Sequence, residues 1–155
     1  MKRAKRHRVL ERGAADPAWD AARDENGDNK MINHVSIGVG DIAKTKAFYD
    51  AALKPLGYSC LSPGDSSLGY GKDAVQFWIS LSKSPVRPDA KSGLHFCFTA
   101  PTRQSVASFH KAAVAAGGRD NGKPGLREDY GPNYFAAFVI DPDGYRIEAY
   151  SNSES

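Results

Sequence analysis

MINHVSIGV, residues 31–39, alternates: Ile32, His34, Ser36 and Gly38 fall on one face and Asn33, Val35, Ile37 and Val39 on the other. A period of two with β-branched residues along one side is the pattern of a strand covered on one face. Asp41 follows as a helix N-cap, a position where a short carboxylate accepts from the first unpaired amides. Beyond it Ala43, Ala47, Phe48, Ala51 and Leu56 form an apolar stripe at helical spacing, and Gly57 ends the helix. Val35 and Ile37 are therefore expected to pack on the helix, which turns His34 to the opposite face of the strand.

The same order returns farther along the chain. Leu94, Phe96 and Phe98 alternate with His95, Cys97 and Thr99, Thr102 caps a second helix, and Val106, Phe109, Ala113 and Val114 make its stripe before Gly117-Gly118. One offset of 61 relates His34 to His95, Phe48 to Phe109, Leu53 to Val114 and Gly57 to Gly118. Four matches in kind at one spacing point to an internal duplication. Strands near residues 58–61, 67–70 and 74–81 complete the first unit, and residues 82–92, with Pro85 and Pro88, read as the connection. The second unit ends in strands at 134–140 and 145–150, joined by Asp141-Pro142-Asp143-Gly144, where proline presets the turn and glycine closes it. The expected fold is α+β: two βαβββ modules forming a cupped mixed sheet, with helices on the outer face and His34 and His95 on paired central strands.

Residues 1–30 differ in composition and read as an appendage to a domain spanning 31–155. Asp16 and Pro17 suit the start of one short helix over residues 17–25. This prefix holds eight of the 21 Lys and Arg and six of the 18 Asp and Glu, so the patterned body is nearly neutral. That excludes a basic stripe for nucleic acid. No apolar run has the length of a membrane span. Two cysteines, Cys60 and Cys97, make no disulfide framework, and the expectation is a cytoplasmic protein with reduced thiols.

The chemistry lies on the faces turned away from the helices. Arg146, Glu148 and Tyr150 share one face of the last strand, opposite Ile147 and Ala149. Taken singly, each histidine reads as an ordinary half-buried residue. Together, His34 and His95 are equivalent across the duplication, and Glu148 sits on the corresponding face. Two imidazoles and a carboxylate can hold one side of a divalent ion, with open positions for water or substrate oxygens. His7 lies in the prefix and His110 on a helix; both are expected to face solvent. Gln76, Trp78, Cys97 and Thr99 should line the cup, and Arg127, Tyr130 and Tyr134 lie on or beside the loop LREDYGPNY, which can fold over it. Arg127 suits an anionic substrate and the tyrosines a hydrogen bond or proton transfer.

The phrases NHVSIGVGD, FYDAALKPLGY, GLHFCF and DPDGYRIEAY together resemble the vicinal oxygen chelate superfamily, which includes glyoxalase I, extradiol dioxygenases, and fosfomycin- and bleomycin-resistance proteins. The resemblance covers about residues 31–150. It implies paired βαβββ modules around one divalent metal (Fe, Mn, Zn or Ni), a small substrate bound through adjacent oxygens, and a homodimer. It also implies a departure. Glyoxalase I has a fourth ligand, a glutamate that serves as base, on the last strand of its first module, and here Trp78 occupies that place. The leading expectation is a metal-dependent enzyme acting on an oxygen-chelating substrate as lyase, isomerase, transferase or ring-cleaving dioxygenase. The alternative is a small-molecule or drug-binding protein without turnover. The general base is not identified, and the site can be built within one chain or across a dimer.

Overall fold

A computed structural model describes residues 31–89 and 91–154. Every element below lies in one compact unit, His34–Ser155. The short helix expected at 17–25 lies outside the described residues.

The elements run β1 (Val35–Val39), α1 (Ile42–Leu53), a 3₁₀ turn (Lys54–Leu56), β2 (Ser59–Ser62), β3 (Ser67–Gly71), β4 (Val75–Leu81), β5 (His95–Thr99), α2 (Arg103–Ala115), β6 (Arg119–Leu126), β7 (Phe135–Ile140) and β8 (Arg146–Ser151). Both predicted caps form: Asp41 accepts from the Lys44 amide and Thr102 from the Ser105 amide. Two four-stranded sheets result, ordered β1-β4-β3-β2 and β5-β8-β7-β6. In each, the first strand runs parallel to the last and the other pairs are antiparallel. These are two βαβββ modules, as the duplication predicts.

One expectation is corrected. β1 and β5 are not paired central strands; each lies at the edge of its own sheet, bonded only to the last strand of its module. The modules instead meet through apolar side chains. Ile37, Val39, Phe77 and Ile79 of the first module share one core with Val106, Phe109, Val139 and Ile147 of the second. The Phe77 ring lies 5.8 Å from Phe96 and 5.4 Å from Phe98. A buried aromatic ring of this size contributes roughly 1.5–3 kcal/mol through removal of apolar surface from water. Strand alternation then sends the other residues, Ser36 and Gln76 on one sheet and His95, Cys97 and Thr99 on the other, outward from that core.

The helix stripes are also rotated from the expected ones. α1 buries Thr45, Phe48, Tyr49, Ala52 and Leu53, while Ala43 and Ala47 are exposed. The reason is polar: Tyr49 donates to Asp141 Oδ2 at 2.8 Å, and the Thr45 hydroxyl lies 2.9 Å from Asp143 Oδ2. Val114 is exposed as well, whereas Val106, Phe109 and Ala113 of α2 are buried. The Asp141–Gly144 turn thus does more than join β7 to β8. It ties the second module to α1 of the first, with Tyr145 adding a hydrogen bond to the Gly38 carbonyl at 2.8 Å.

β6 was implied by the repeat but carries no strand-like pattern. Its sequence RDNGKPGL holds Gly122, Pro124 and Gly125, and its pairing with β7 shifts register twice. Such a strand survives because it lies at a sheet edge, where a proline removes no ladder bond that a neighbour needs.

Candidate functional site

The parallel register of β5 and β8 sets His95 opposite Arg146 and Cys97 opposite Glu148. These side chains all lie on the outward face of the second sheet. His95 Nε2 and Glu148 Oε2 are 3.3 Å apart, with the histidine side chain half exposed and the glutamate side chain only 4% exposed. A carboxylate this deeply buried needs polar partners. Tyr134 supplies one, its hydroxyl donating to Glu148 Oε1 at 2.8 Å.

Tyr134 is itself held on several sides. Its ring lies against Tyr150, 4.0 Å between centroids, and meets Tyr130 edge-on at 5.3 Å. Its carbonyl accepts from the Arg127 amide at 2.8 Å. Burial, followed by the bond to Glu148, pushes the Tyr134 phenol well above its usual value, so it stays a donor. Burial first, then the Glu148 charge, pushes the Cys97 thiol up to about 12. Cys97 is therefore a neutral thiol and not a nucleophile at ordinary pH; it is exposed on the same face and, against expectation, does not line the cavity beside it.

A cavity of about 400 Å³ opens beside the pair, walled by His95, Glu148, Asn121, Tyr130, Tyr134 and Arg146, with Gly93, Phe138 and Ile147 completing it. Arg146 is anchored by its Nε, which donates to the Leu94 carbonyl at 3.2 Å. Asn121, Arg146 and Phe138 were not among the residues expected to line the site. Arg146 was legible, since alternation puts it on the Glu148 face. Asn121 was not, because nothing in RDNGKPGL marks a strand.

The remaining sequence candidates divide. Tyr130 and Tyr134 line the cavity. Thr99 shares its outward sheet face but lies past it, its carbonyl accepting from Tyr58 of the first module. Arg127 packs over the Phe138 ring at 5.4 Å and donates to the Lys123 carbonyl at 2.7 Å, so it braces the wall. Gln76 and Trp78 lie on β4 of the other sheet, and exposed His34 immediately precedes β1 there. None of these three lines the cavity. His110, expected to face solvent, has a side chain only 15% exposed and bonds Asp120 at 2.9 Å.

Register clarifies the departure at Trp78. Ser36 pairs with Trp78 in the first sheet, and Cys97, the repeat mate of Ser36, pairs with Glu148 in the second. Trp78 is therefore the counterpart of Glu148, and an indole cannot ligate a cation. An imidazole nitrogen and a carboxylate oxygen side by side suit two positions of a first-row divalent ion. Among the described residues, no group of three His, Cys, Asp or Glu side chains converges within one chain. His95 and Glu148 thus fit half of such a site.

The family model for the Glyoxalase/Bleomycin resistance protein/Dioxygenase superfamily matches residues 31–149, and the chain belongs to that superfamily. A Vibrio cholerae protein named probable lactoylglutathione lyase is 29% identical over 82% of this chain and 94% of its own length. A lactoylglutathione lyase of Arabidopsis thaliana is 30% identical over 78% of this chain, which spans only 44% of the plant protein. Among solved structures, a glyoxalase/bleomycin resistance protein from Albidiferax ferrireducens superposes with a TM-score of 0.67 at 30% identity, covering 79% of this chain and 98% of that one. No helix among the described residues is long and apolar enough to cross a membrane.

Proposed function

We propose that this protein is a divalent-metal-dependent enzyme of the glyoxalase type, whose site pairs His95 and Glu148 of one copy with His34 of a second. The observation that carries the reading is the 3.3 Å approach of His95 Nε2 to the buried Glu148 Oε2 at the wall of an open cavity. A buried carboxylate beside an imidazole, with room in front, is an arrangement that a cation stabilises and an ordinary core does not require.

The packing within one chain supports a second copy. The two sheets of one chain turn their apolar faces into a common core; His95 lies on the outward side of the second sheet, and exposed His34 immediately precedes β1 of the first. A homodimer that seats the first sheet of one copy over the second sheet of the other brings them together. It also covers outward-facing Trp78 and Gln76 and closes the cavity from water.

A bound cation would supply Lewis acidity toward adjacent substrate oxygens. The chain's own residues bind and orient a small substrate: Arg146 offers a cationic wall, Tyr130 and Tyr134 aromatic surface, and Asn121 an amide. Because Trp78 stands where a second carboxylate would balance Glu148, the chain has no matching base in the first module. That favours chemistry in which the substrate or water completes the site. The same feature supports a second reading, a binding protein that captures a small molecule without turnover. Metal titration of protein freed of any histidine tag tests the proposal, with His95→Ala and Glu148→Gln expected to weaken binding sharply. Equal affinity in wild type and both variants would overturn it.

A further inference from the structure

We infer that Tyr134 is a positioning residue that fixes which oxygen of Glu148 faces the site, an inference resting on the metal-centre reading above. The carboxylate has two oxygens with different surroundings. Oε1 accepts the Tyr134 hydroxyl at 2.8 Å, and Oε2 faces His95 Nε2 at 3.3 Å. The phenol commits one oxygen to a hydrogen bond and leaves the other beside the imidazole. A carboxylate held this way would keep Oε2 toward a bound cation while Oε1 stays with the phenol, because turning it would strain a hydrogen bond at a site only 4% exposed.

The rest of the molecule prepares Tyr134 for this. Ring contacts with Tyr150 and Tyr130 and the backbone bond from Arg127 orient the phenol without help from Glu148. The ring is thus held by contacts that do not involve the carboxylate, and its hydroxyl meets Glu148 Oε1. Support of a ligating side chain by a hydrogen-bond partner behind it commonly changes metal affinity by 10- to 100-fold. Tyr134 comes from the loop just before β7, fourteen residues ahead of its partner, so the loop's placement and the ligand's orientation are coupled.

Tyr134→Phe isolates the effect, since it keeps the ring contacts and removes only the hydroxyl. The probe is Co(II), titrated into the intact tag-free protein and followed by its visible absorption, which reports coordination number and geometry. Tyr134→Phe is expected to melt within a few degrees of wild type, to bind Co(II) roughly 10-fold more weakly, and to show an altered absorption envelope as the freed carboxylate turns. Glu148→Gln is titrated alongside. Wild-type affinity and spectrum in Tyr134→Phe, with binding lost in Glu148→Gln, would overturn the positioning role and leave the metal centre standing. Wild-type binding in Glu148→Gln would overturn the metal centre, and the inference with it.

Discussion

Replacing Asp141 by Asn separates a structural carboxylate from the candidate site. Asp141 is 3% exposed. Its Oδ1 accepts from the amides of Asp143 at 3.0 Å and Tyr145 at 2.8 Å, and its Oδ2 from the Tyr49 hydroxyl at 2.8 Å. Burial outweighs these donors and pushes the carboxyl up to about 6. The folded state then holds a proton more tightly than the unfolded chain, whose carboxylate titrates at about 3.9. Stability from this group grows as pH falls through 6 toward 4 and is lost as pH rises through the same window. Between about pH 7.5 and about pH 4.5 the linkage amounts to about 2 kcal/mol. Asparagine carries no charge to bury and keeps the acceptor for both amides, but it faces Tyr49 with a donor, at a cost of about 1–2 kcal/mol at every pH. Urea unfolding of both proteins across this range reads the difference directly, because other titrating groups cancel. The stability gap should open in favour of wild type by about 2 kcal/mol on acidification, a shift on the order of 1 M in relative midpoint. Parallel curves for the two proteins would refute the assignment of a raised carboxyl to Asp141.

Gly118→Ala should destabilise by about 1–3 kcal/mol, because the new Cβ would lie 2.7 Å from Val139 Cγ1, 2.8 Å from Phe48 Cε2 and 2.9 Å from the Ala113 carbonyl. Calorimetry should find a melting temperature lower by on the order of 5 °C; an unchanged value would mean that the junction of α2 and β6 is looser than its contacts. Trp78→Glu restores a carboxylate at the repeat counterpart of Glu148 and should tighten divalent-metal binding by roughly tenfold. Titration of Zn(II) checks this, and an affinity equal to wild type would show that the first sheet does not face the centre.

Fold and site were legible to different depths. The duplication carried the fold: the histidine, phenylalanine and glycine matches named both strand-helix openings, and the two caps at Asp41 and Thr102 formed as read. β6 escaped because an edge strand tolerates Pro124 and paired glycines that a local pattern counts against it. The α1 stripe came out rotated because Thr45 and Tyr49 are buried by polar partners on the other module, a long-range effect without a local period. Within the site, alternation put His95, Cys97 and Glu148 on one face. Alternation says nothing of how two sheets are arranged, so the expectation of paired central strands failed, although His95, Cys97 and Glu148 do share one face of the second sheet. Tyr134 entered as a loop tyrosine. Its bond to Glu148 depends on how the loop before β7 folds back, and no spacing in the sequence encodes that.

The most direct test of the account is to mix two variants that each lack one histidine. His34→Ala removes the ligand of the first sheet and His95→Ala that of the second, so neither variant alone should bind a divalent cation tightly. If the centre is shared between copies, a mixed dimer of the two regains one intact site, with His34 from one copy and His95 and Glu148 from the other. Zn(II) titration after unfolding and refolding the two together should then recover tight binding at a fraction of wild-type stoichiometry. Recovery of none, or tight binding by either variant alone, would contradict the shared centre.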